Sequence, residues 1–267
     1  MSTVSVPAVG RTVRAATAAA VEVGWVTAHA ATYPLGLLRD PGNEPDPDLH
    51  SISRLPLSQR SLLAADVAAA TTPIVLIHGI VDNRTIFTML RRGLRRRGFR
   101  SIRSFSYGPQ TTDVRAAATR LSDFVEALCE ETSSDRVHVI GHSLGGLIAR
   151  YYAQRLDGDA RVGTLVTLGS PHQGTRTAQV VPHRLVRQLR PGSDIVTELA
   201  QPAPGCTTRF LSFYSDVDQL IVPSRNARLD HPDLDVENIL VQGVGHLSLP
   251  INGTIVHRIG TTLAGLD

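Results

Sequence analysis

A serine flanked by glycines forms the most chemically informative motif of the chain, Gly141-His-Ser-Leu-Gly145. The apolar run at residues 137–140 is typical of a buried strand, and residues 144–156 are typical of an amphipathic helix. A G-x-S-x-G motif between a strand and a helix makes a sharp turn that exposes the serine hydroxyl above a sheet. We therefore expect Ser143 to be the nucleophile of an acyl-transfer reaction, with the N–H of Leu144 directed at the developing oxyanion.

A serine hydroxyl needs a base to accept its proton, and five histidines follow Ser143 along the chain. His246 lies in the glycine-rich run Gln242-Gly-Val-Gly-His-Leu247, directly after the last predicted strand. A loop in that position can bring an imidazole back over the serine, so we expect His246 to be the base. The other candidates fall in an insertion, in a polar loop and in the last predicted helix: His172, His183, His231 and His257.

The base in turn needs a carboxylate to orient it, which in this order of residues comes between the serine and the histidine. Asp216 and Asp218 both follow the strand predicted at residues 209–214. We favour Asp218, because it lies further into the loop, just ahead of an apolar turn that would hold it inward. Asp216 stays open as the alternative. Three further aspartates lie in a polar loop and are expected to be solvated: Asp230, Asp233 and Asp235.

A second donor to the oxyanion is expected from the loop after the first buried strand, which ends at His78-Gly79-Ile80. The N–H of Ile80 is the candidate, and Gly79 allows the backbone to come close to the substrate. His78 precedes the site along the chain, so we expect it to be structural and not a base.

The elements that position these residues alternate from residue 73 onward between short apolar strands and amphipathic helices. Strands are expected at residues 74–77, 101–107, 137–140, 162–168, 209–214 and 238–242, with helices at about 86–98, from 113, at 144–156 and at 254–263. This alternation implies a mainly parallel sheet with helices on both faces. Together with the serine motif it predicts one domain of the α/β-hydrolase fold at residues 71–267.

Residues 1–70 are expected to form a helical extension and a linker. An alanine-rich helix is predicted at residues 11–31, where Glu22 and His29 interrupt the apolar run, and a proline-rich loop at 39–48. The helix is too polar to span a bilayer, and no clear signal peptide is present. We therefore favour a cytoplasmic or peripherally membrane-associated protein over a secreted one.

The charge of the chain gives little indication of a polyanionic partner. All 27 basic residues are arginine and the formal net charge is only +3. An arginine cluster at residues 91–103 could attract anionic membranes or nucleic acid. Because no nucleic-acid-binding motif accompanies it, we interpret it as the solvent-exposed face of a helix and expect no nucleic-acid partner. The two cysteines, Cys129 and Cys206, are expected to be free.

Four motifs together resemble those of bacterial triacylglycerol lipases, most closely the small minimal enzymes. They are Ile77-His-Gly-Ile80, Gly141-His-Ser-Leu-Gly-Gly146, Thr167-Leu-Gly-Ser-Pro-His-Gln-Gly-Thr175 and Gly243-Val-Gly-His246. The likeness covers residues 73–263. It implies a lipase that hydrolyses fatty-acyl esters, with Ser143, Asp218 and His246 as catalytic residues and with Ile80 and Leu144 in the oxyanion hole.

The chain departs from this pattern in two places. An insertion at about residues 172–206 is expected to form a short cap, and its two apolar groups either line the acyl site or cover the core: Leu185, Val186 and Leu189, then Ile195, Val196 and Leu199. Larger calcium-binding relatives carry an acidic residue soon after the histidine, whereas Leu247-Ser-Leu-Pro250 follows it here. We therefore expect no metal and no other cofactor.

The sequence leaves the acceptor of the acyl group open. An acyltransferase would use the same residues to pass the group to an alcohol, and a non-catalytic lipid-binding relative is a weaker alternative because every site position is filled. The expected partner is a lipid or another ester substrate, and contact with a membrane or lipid interface is left open.

Overall fold

Short apolar segments rich in β-branched residues form a parallel sheet at the centre of the protein. The computed structural model describes residues 67–80, 82–108 and 110–265, together with Thr17, Ala20, Glu22 and Gly24. Within these residues the strands are β1 (Ile74–Ile77), β2 (Ile102–Phe105), β3 (Val137–His142), β4 (Val162–Leu168), β5 (Arg209–Ser215) and β6 (Asp235–Val241). They are hydrogen-bonded in the order β2-β1-β3-β4-β5-β6, and every pair is parallel.

Helices cover both faces of the sheet. They are α1 (Val67–Thr71), α2 (Thr88–Arg96), α3 (Val114–Thr132), α4 (Leu144–Arg155), α5 (Arg184–Arg187), α6 (Asp194–Leu199) and α7 (Gly253–Leu263). Successive strand residues point to opposite faces, so Val75 packs in the core formed with α3 and α4, whereas Leu76 packs in the core formed with α2 and α7. The expected architecture, the α/β-hydrolase fold, is confirmed.

Local sequence signals account for most element boundaries. Asp113 caps α3, since its carboxylate accepts a hydrogen bond of 2.7 Å from the N–H of Arg115. The helix α2 begins at Thr88, later than expected, because Asn83 caps a separate 3-10 turn at Arg84–Phe87. The strand β6 begins at Asp235, earlier than expected. It lies at the edge of the sheet with polar residues in its first half, so an apolar pattern could reveal only its second half.

The arginine cluster divides between two environments. Arg92, Arg95 and Arg96 are exposed on α2, as expected for the outer face of a helix. Arg103, in contrast, is buried on β2, where its guanidinium contacts the carboxylate of Glu131 at 2.6 Å. The interpretation as one helix face is therefore wrong for Arg103, because a paired charge can be accommodated inside the protein.

Most predictions for the N-terminal extension lie outside the described residues. These include the helix at residues 11–31, apart from the four helical positions named above, and the loop at 39–48. The domain boundary expected at residue 70 and the cap limits of 172–206 stay predictions. Among the described residues, no helix combines the length and the apolar character needed to cross a membrane.

Candidate active site

Ser143 stands on a strained turn between β3 and α4. Its backbone angles are φ 53° and ψ −122°, in the left-handed region that costs a non-glycine residue on the order of 1–3 kcal/mol. The turn is packed tightly, since a Cβ atom on Gly145 would lie 2.2 Å from the carbonyl oxygen of Ile77. The N–H of Ser143 donates to the carbonyl of Leu168 at 2.9 Å, which ties the turn to β4. This backbone is the strand-to-helix turn that the motif predicts.

The loops after β5 and β6 bring a carboxylate and an imidazole together. Oδ2 of Asp218 lies 2.8 Å from Nδ1 of His246, and both side chains are buried. Oδ1 of Asp218 accepts hydrogen bonds from the N–H groups of Leu220 (2.9 Å) and Ile221 (2.8 Å). With both oxygens engaged, the carboxylate is fixed in position and the proton of His246 is held on Nδ1.

Asp216, the alternative acid, lies elsewhere in the same loop. It is exposed, and its Oδ1 accepts a hydrogen bond of 2.7 Å from the N–H of Gly243, at the start of the loop that carries His246. Asp216 therefore supports the backbone of that loop, whereas Asp218 contacts the imidazole.

Opposing effects set the proton affinities of this ion pair. Burial alone disfavours the imidazolium, but the negative charge of Asp218 and its hydrogen bond outweigh burial and hold the pKa of His246 above its ordinary value. For Asp218, burial would raise the pKa, yet the charge and hydrogen bond of His246 and the two backbone N–H groups hold it below its ordinary value. The carboxylate is thus ionised at neutral pH, ready to stabilise a protonated His246.

Nε2 of His246 is the atom that a serine hydroxyl would have to reach. It is buried and, within the described part of the chain, has no hydrogen-bond partner. The ring of His246 packs 4.8 Å, between centroids, from the ring of His142, which immediately precedes Ser143. The structure thus places His246 beside the serine turn with one nitrogen available to accept a proton.

The loop after β1 lies directly against Ser143. A Cβ atom on Gly79 would be 3.2 Å from Cβ of Ser143, so a side chain at this position would crowd the nucleophile. The carbonyl of Gly79 accepts hydrogen bonds from the hydroxyl of Tyr107 (2.5 Å) and from Nδ1 of His78 (2.8 Å). Because the peptide is planar and trans, these bonds direct the N–H of Ile80 to the opposite side. His78 therefore orients the peptide.

A second buried Asp–His contact was not anticipated from the sequence. Nε2 of His142 lies 3.1 Å from the carbonyl oxygen of His246, and its Nδ1 lies 3.2 Å from Oδ2 of Asp82. A carbonyl can only accept, so Nε2 of His142 donates to it, and Nδ1 of the same ring faces the carboxylate of Asp82. A single sequence gives no signal for this contact, since Asp82 lies 60 residues before His142.

A cavity of about 470 Å³ opens beside Ser143. Its walls include Ile80, Tyr107 and Pro171, together with Leu185, Val186 and Leu189 of the insertion. The second apolar group of the insertion behaves differently: Ile195 and Leu199 are buried in the core against α4 and do not line the cavity. Leu185 and Leu189 are buried in the same core as well, so the first group both covers the core and lines the cavity, whereas Ile195 and Leu199 only cover the core.

Two further expectations concern the cysteines and a metal site. Cys129 and Cys206 are free thiols, as expected. In the part of the chain that the structure describes, no group of three or more His, Cys, Asp or Glu side chains could hold a metal ion. The expectation of a reaction without metal or cofactor stays a prediction.

Comparison with known proteins identifies the family. Residues 73–226 match the sequence profile of palmitoyl protein thioesterases, which covers more than half of the chain. The chain belongs to the palmitoyl protein thioesterase family. The matched segment contains Ser143 and Asp218 and ends before His246.

The individual relatives of the chain include both thioesterases and lipases. The chain is 30% identical over 136 residues to a palmitoyl-protein thioesterase-dolichyl pyrophosphate phosphatase fusion of Schizosaccharomyces pombe, covering 48% of this chain and 22% of that protein. It is 29% identical over 127 residues to a triacylglycerol lipase of Burkholderia plantarii, covering 45% of this chain and 35% of the relative. The resemblance to bacterial lipases is confirmed, although the matches span about a third or less of these relatives.

Solved structures agree with the fold. Aspergillus fumigatus lipase B superimposes with a TM-score of 0.64 at 15% identity, over 85% of this chain and 60% of that one. The mature lipase BlEst2 of Bacillus licheniformis gives a TM-score of 0.60 at 16% identity, over 84% and 96% of the two chains. At these identities the likeness concerns the fold.

The strained turn generates a first prediction. Ser143→Ala should lower kcat for ester hydrolysis by about 10⁶-fold and leave the fold intact, because the residues of such a site act as a unit. A fluorophosphonate probe should label Ser143 alone, as read by peptide mass spectrometry. Ser170→Ala is the matched control, since it removes another buried serine hydroxyl close to α4. Labelling of the Ser143→Ala protein would contradict the assignment.

The different contacts of the two aspartates generate a second prediction. Asp218→Asn should lower kcat by about 10⁴-fold, because an amide favours the wrong tautomer of the imidazole. Asp216→Asn keeps an acceptor oxygen for the N–H of Gly243 and should cost less than about tenfold, as expected for an exposed position. Steady-state kinetics of both variants decide the matter, and the reverse ranking would exchange their roles.

Proposed function

We propose that the protein is a serine hydrolase of fatty-acyl esters that acts through an acyl-enzyme on Ser143. The observation that carries the proposal is the buried Asp218–His246 pair, whose imidazole ring packs against His142, the residue before the strained Ser143 turn. Ser143 itself lines an apolar cavity. Membership of the palmitoyl protein thioesterase family and the similarity to triacylglycerol lipases support ester hydrolysis.

The proposed reaction has two steps. Nε2 of His246 takes the hydroxyl proton of Ser143 as the oxygen attacks the acyl carbonyl, and the N–H groups of Ile80 and Leu144 hold the oxyanion, each contributing on the order of 3 kcal/mol. The imidazolium then gives its proton to the leaving alcohol. Water attacks the acyl-enzyme with the same base and releases the fatty acid. Asp218 stays ionised and stabilises the imidazolium throughout.

The cavity favours a long acyl chain. Leu185, Val186 and Leu189 provide apolar walls beside Ser143, and each buried methylene of a substrate would contribute about 0.8 kcal/mol. A site for small soluble esters would not need this surface.

The family match favours a second substrate class, fatty-acyl thioesters. The acyl-enzyme would be the same, and the leaving group would be a thiol. Because a thiol has a pKa of about 8.5, it departs without the proton that an alcohol needs. Oxyesters and thioesters of one acyl chain therefore belong in the same experiment.

An apolar rim at the mouth of the cavity supports contact with a lipid surface and hence a peripherally membrane-associated protein. Val181 and Leu220 line the cavity and are exposed, and the nearby Val180 and Val222 are exposed as well. Hydrogen bonds from the hydroxyls of Thr175 and Thr177 to the carbonyl of Leu220, at 2.7 and 2.6 Å, hold the two segments of this rim together. The exposed Arg184 and Arg187 on the neighbouring α5 would suit an anionic surface.

A panel of esters tests the function directly. Purified protein should hydrolyse oxyesters with kcat/KM rising from acetate to long acyl chains, and the Ser143→Ala protein should hydrolyse none. Palmitoyl thioesters run in parallel assign the leaving group. Product analysis with added alcohol separates water from an alcohol as the acceptor, since an acyltransferase would form the new ester in preference to free acid. Absence of activity on all of these substrates would contradict the proposal.

The division of the cap generates a third prediction. Replacing Leu185 and Leu189 by Ser should lower kcat/KM for long-chain esters by tenfold or more and spare butyrate esters, because these side chains line the cavity. The matched control is the double replacement of Ile195 and Leu199 by Ser, which removes buried leucine-sized groups from the same cap away from the cavity. Both pairs should lower the melting temperature. Equal losses on short and long esters for the first pair would show a purely structural role.

A further inference from the structure

Glu22 from the N-terminal segment contacts the loop that carries His246. Its Oε2 accepts a hydrogen bond from the N–H of Leu247 at 2.9 Å, and its Oε1 accepts from the N–H and the hydroxyl of Ser248 at 3.0 and 2.6 Å. The side chain also crosses the face of Gly245, where an added Cβ would lie 2.3 Å from it. The carboxylate thus bonds both residues after His246 and packs on the residue before it.

These bonds complete the support of the histidine backbone. The N–H of His246 lies 3.4 Å from the side-chain oxygen of Gln219, and its carbonyl accepts from His142. Without Glu22, the next two N–H groups would rely on the weaker bonds available within the loop, such as that from Ser248 to the carbonyl of Gly245 at 3.2 Å. A loop without regular structure needs such bonds if its imidazole is to stay in place, since loops are otherwise the more mobile part of a fold.

The charge of Glu22 acts on the same imidazole. The charged and titratable groups that face His246 are Asp218 from the loop after β5, Asp82 from the loop after β1, His142 at the end of β3, and Glu22. All three carboxylates favour the imidazolium electrostatically, and Asp218 contributes most. Glu22 is therefore in a position to influence both the geometry of the base and its charge.

We propose that Glu22 is a positioning residue, which holds the base-carrying loop in its reactive place from a segment 225 residues earlier in the chain. The inference rests on the proposed role of His246 as the base. The N-terminal extension would then take part in the reaction by positioning the loop that carries His246, although none of the four lipase-like motifs lies in that extension. The sequence signal was slight: Glu22 interrupts an otherwise apolar helical run.

The test compares three carboxylate variants on a soluble butyrate ester across pH. Glu22→Gln should lower kcat about tenfold with KM unchanged, which is the scale of one hydrogen bond to a charged group. It should also move the acid limb of kcat/KM to lower pH, because removal of a negative charge disfavours the imidazolium and His246 must be neutral to act as base. Glu22→Asp keeps the charge, so its acid limb should stay in place while kcat recovers in part.

Glu130→Gln is the matched control, since it removes a carboxylate from the exposed end of α3, before β3 begins and at the opposite edge of the sheet from the site. It should change neither kcat nor the acid limb. A folded Glu22→Gln protein with the kinetics of the parent would overturn the inference. A lower kcat together with a lower melting temperature and an unmoved acid limb would also overturn it, because a merely structural contact predicts that result.

Two further measurements keep the result decisive. Ser248→Ala removes only the hydroxyl that donates to Glu22 and should lower kcat about threefold, as for one neutral donor; an unchanged kcat would count against the inference even if Glu22→Gln failed to fold. NMR titration of the His246 ring in a Ser143→Ala background needs no activity. A lower pKa after Glu22→Gln supports the inference and an unchanged one refutes it, whether or not the parent protein hydrolyses esters.

Discussion

The placement of one imidazole is the constraint on which the remainder of the site depends. A histidine on a loop has to be held rigidly, yet the charged partner that orients it is expensive to bury. The structure offsets that cost by satisfying both oxygens of Asp218, one with the ring of His246 and the other with two backbone N–H groups. Further bonds from Gln219, His142 and Glu22 then hold the backbone on either side of the ring.

The parallel sheet supplies the geometry that makes this placement possible. In such a sheet the carboxyl ends of all strands meet at one edge, which is where ligands bind in α/β folds. Ile80 follows β1, Ser143 follows β3, Asp218 follows β5 and His246 follows β6, so residues from four distant segments converge at that edge. Helices on both faces leave the edge itself open, and the insertion after β4 adds the apolar wall beside it.

Much of this arrangement follows from local sequence. Apolar strands, capped helices and the glycine-flanked serine are short-range signals, so the order of elements and the candidates Ser143, Asp218 and His246 could be predicted. Contacts between distant segments could not. The bond between Asp82 and His142 and the contact of Glu22 with Leu247 join residues with no shared motif or periodicity. The start of β6 was missed for a related reason, since pairing with β5 stabilises polar residues there.

The surplus of negative charge around the two imidazoles has a consequence for the proposed reaction. Asp218, Asp82 and Glu22 all favour the positive charge that the proposed reaction places on His246 as the oxyanion forms. Because these groups are fixed in advance, they need not reorganise when the charge develops. Such preorganised electrostatic stabilisation is usually the largest contribution that a protein site makes to catalysis. The same carboxylates, however, favour the imidazolium in the resting protein. In the proposed reaction, acyl transfer should therefore be fastest above the raised pKa of His246, where the base is neutral before the substrate arrives and charged only in the transition state.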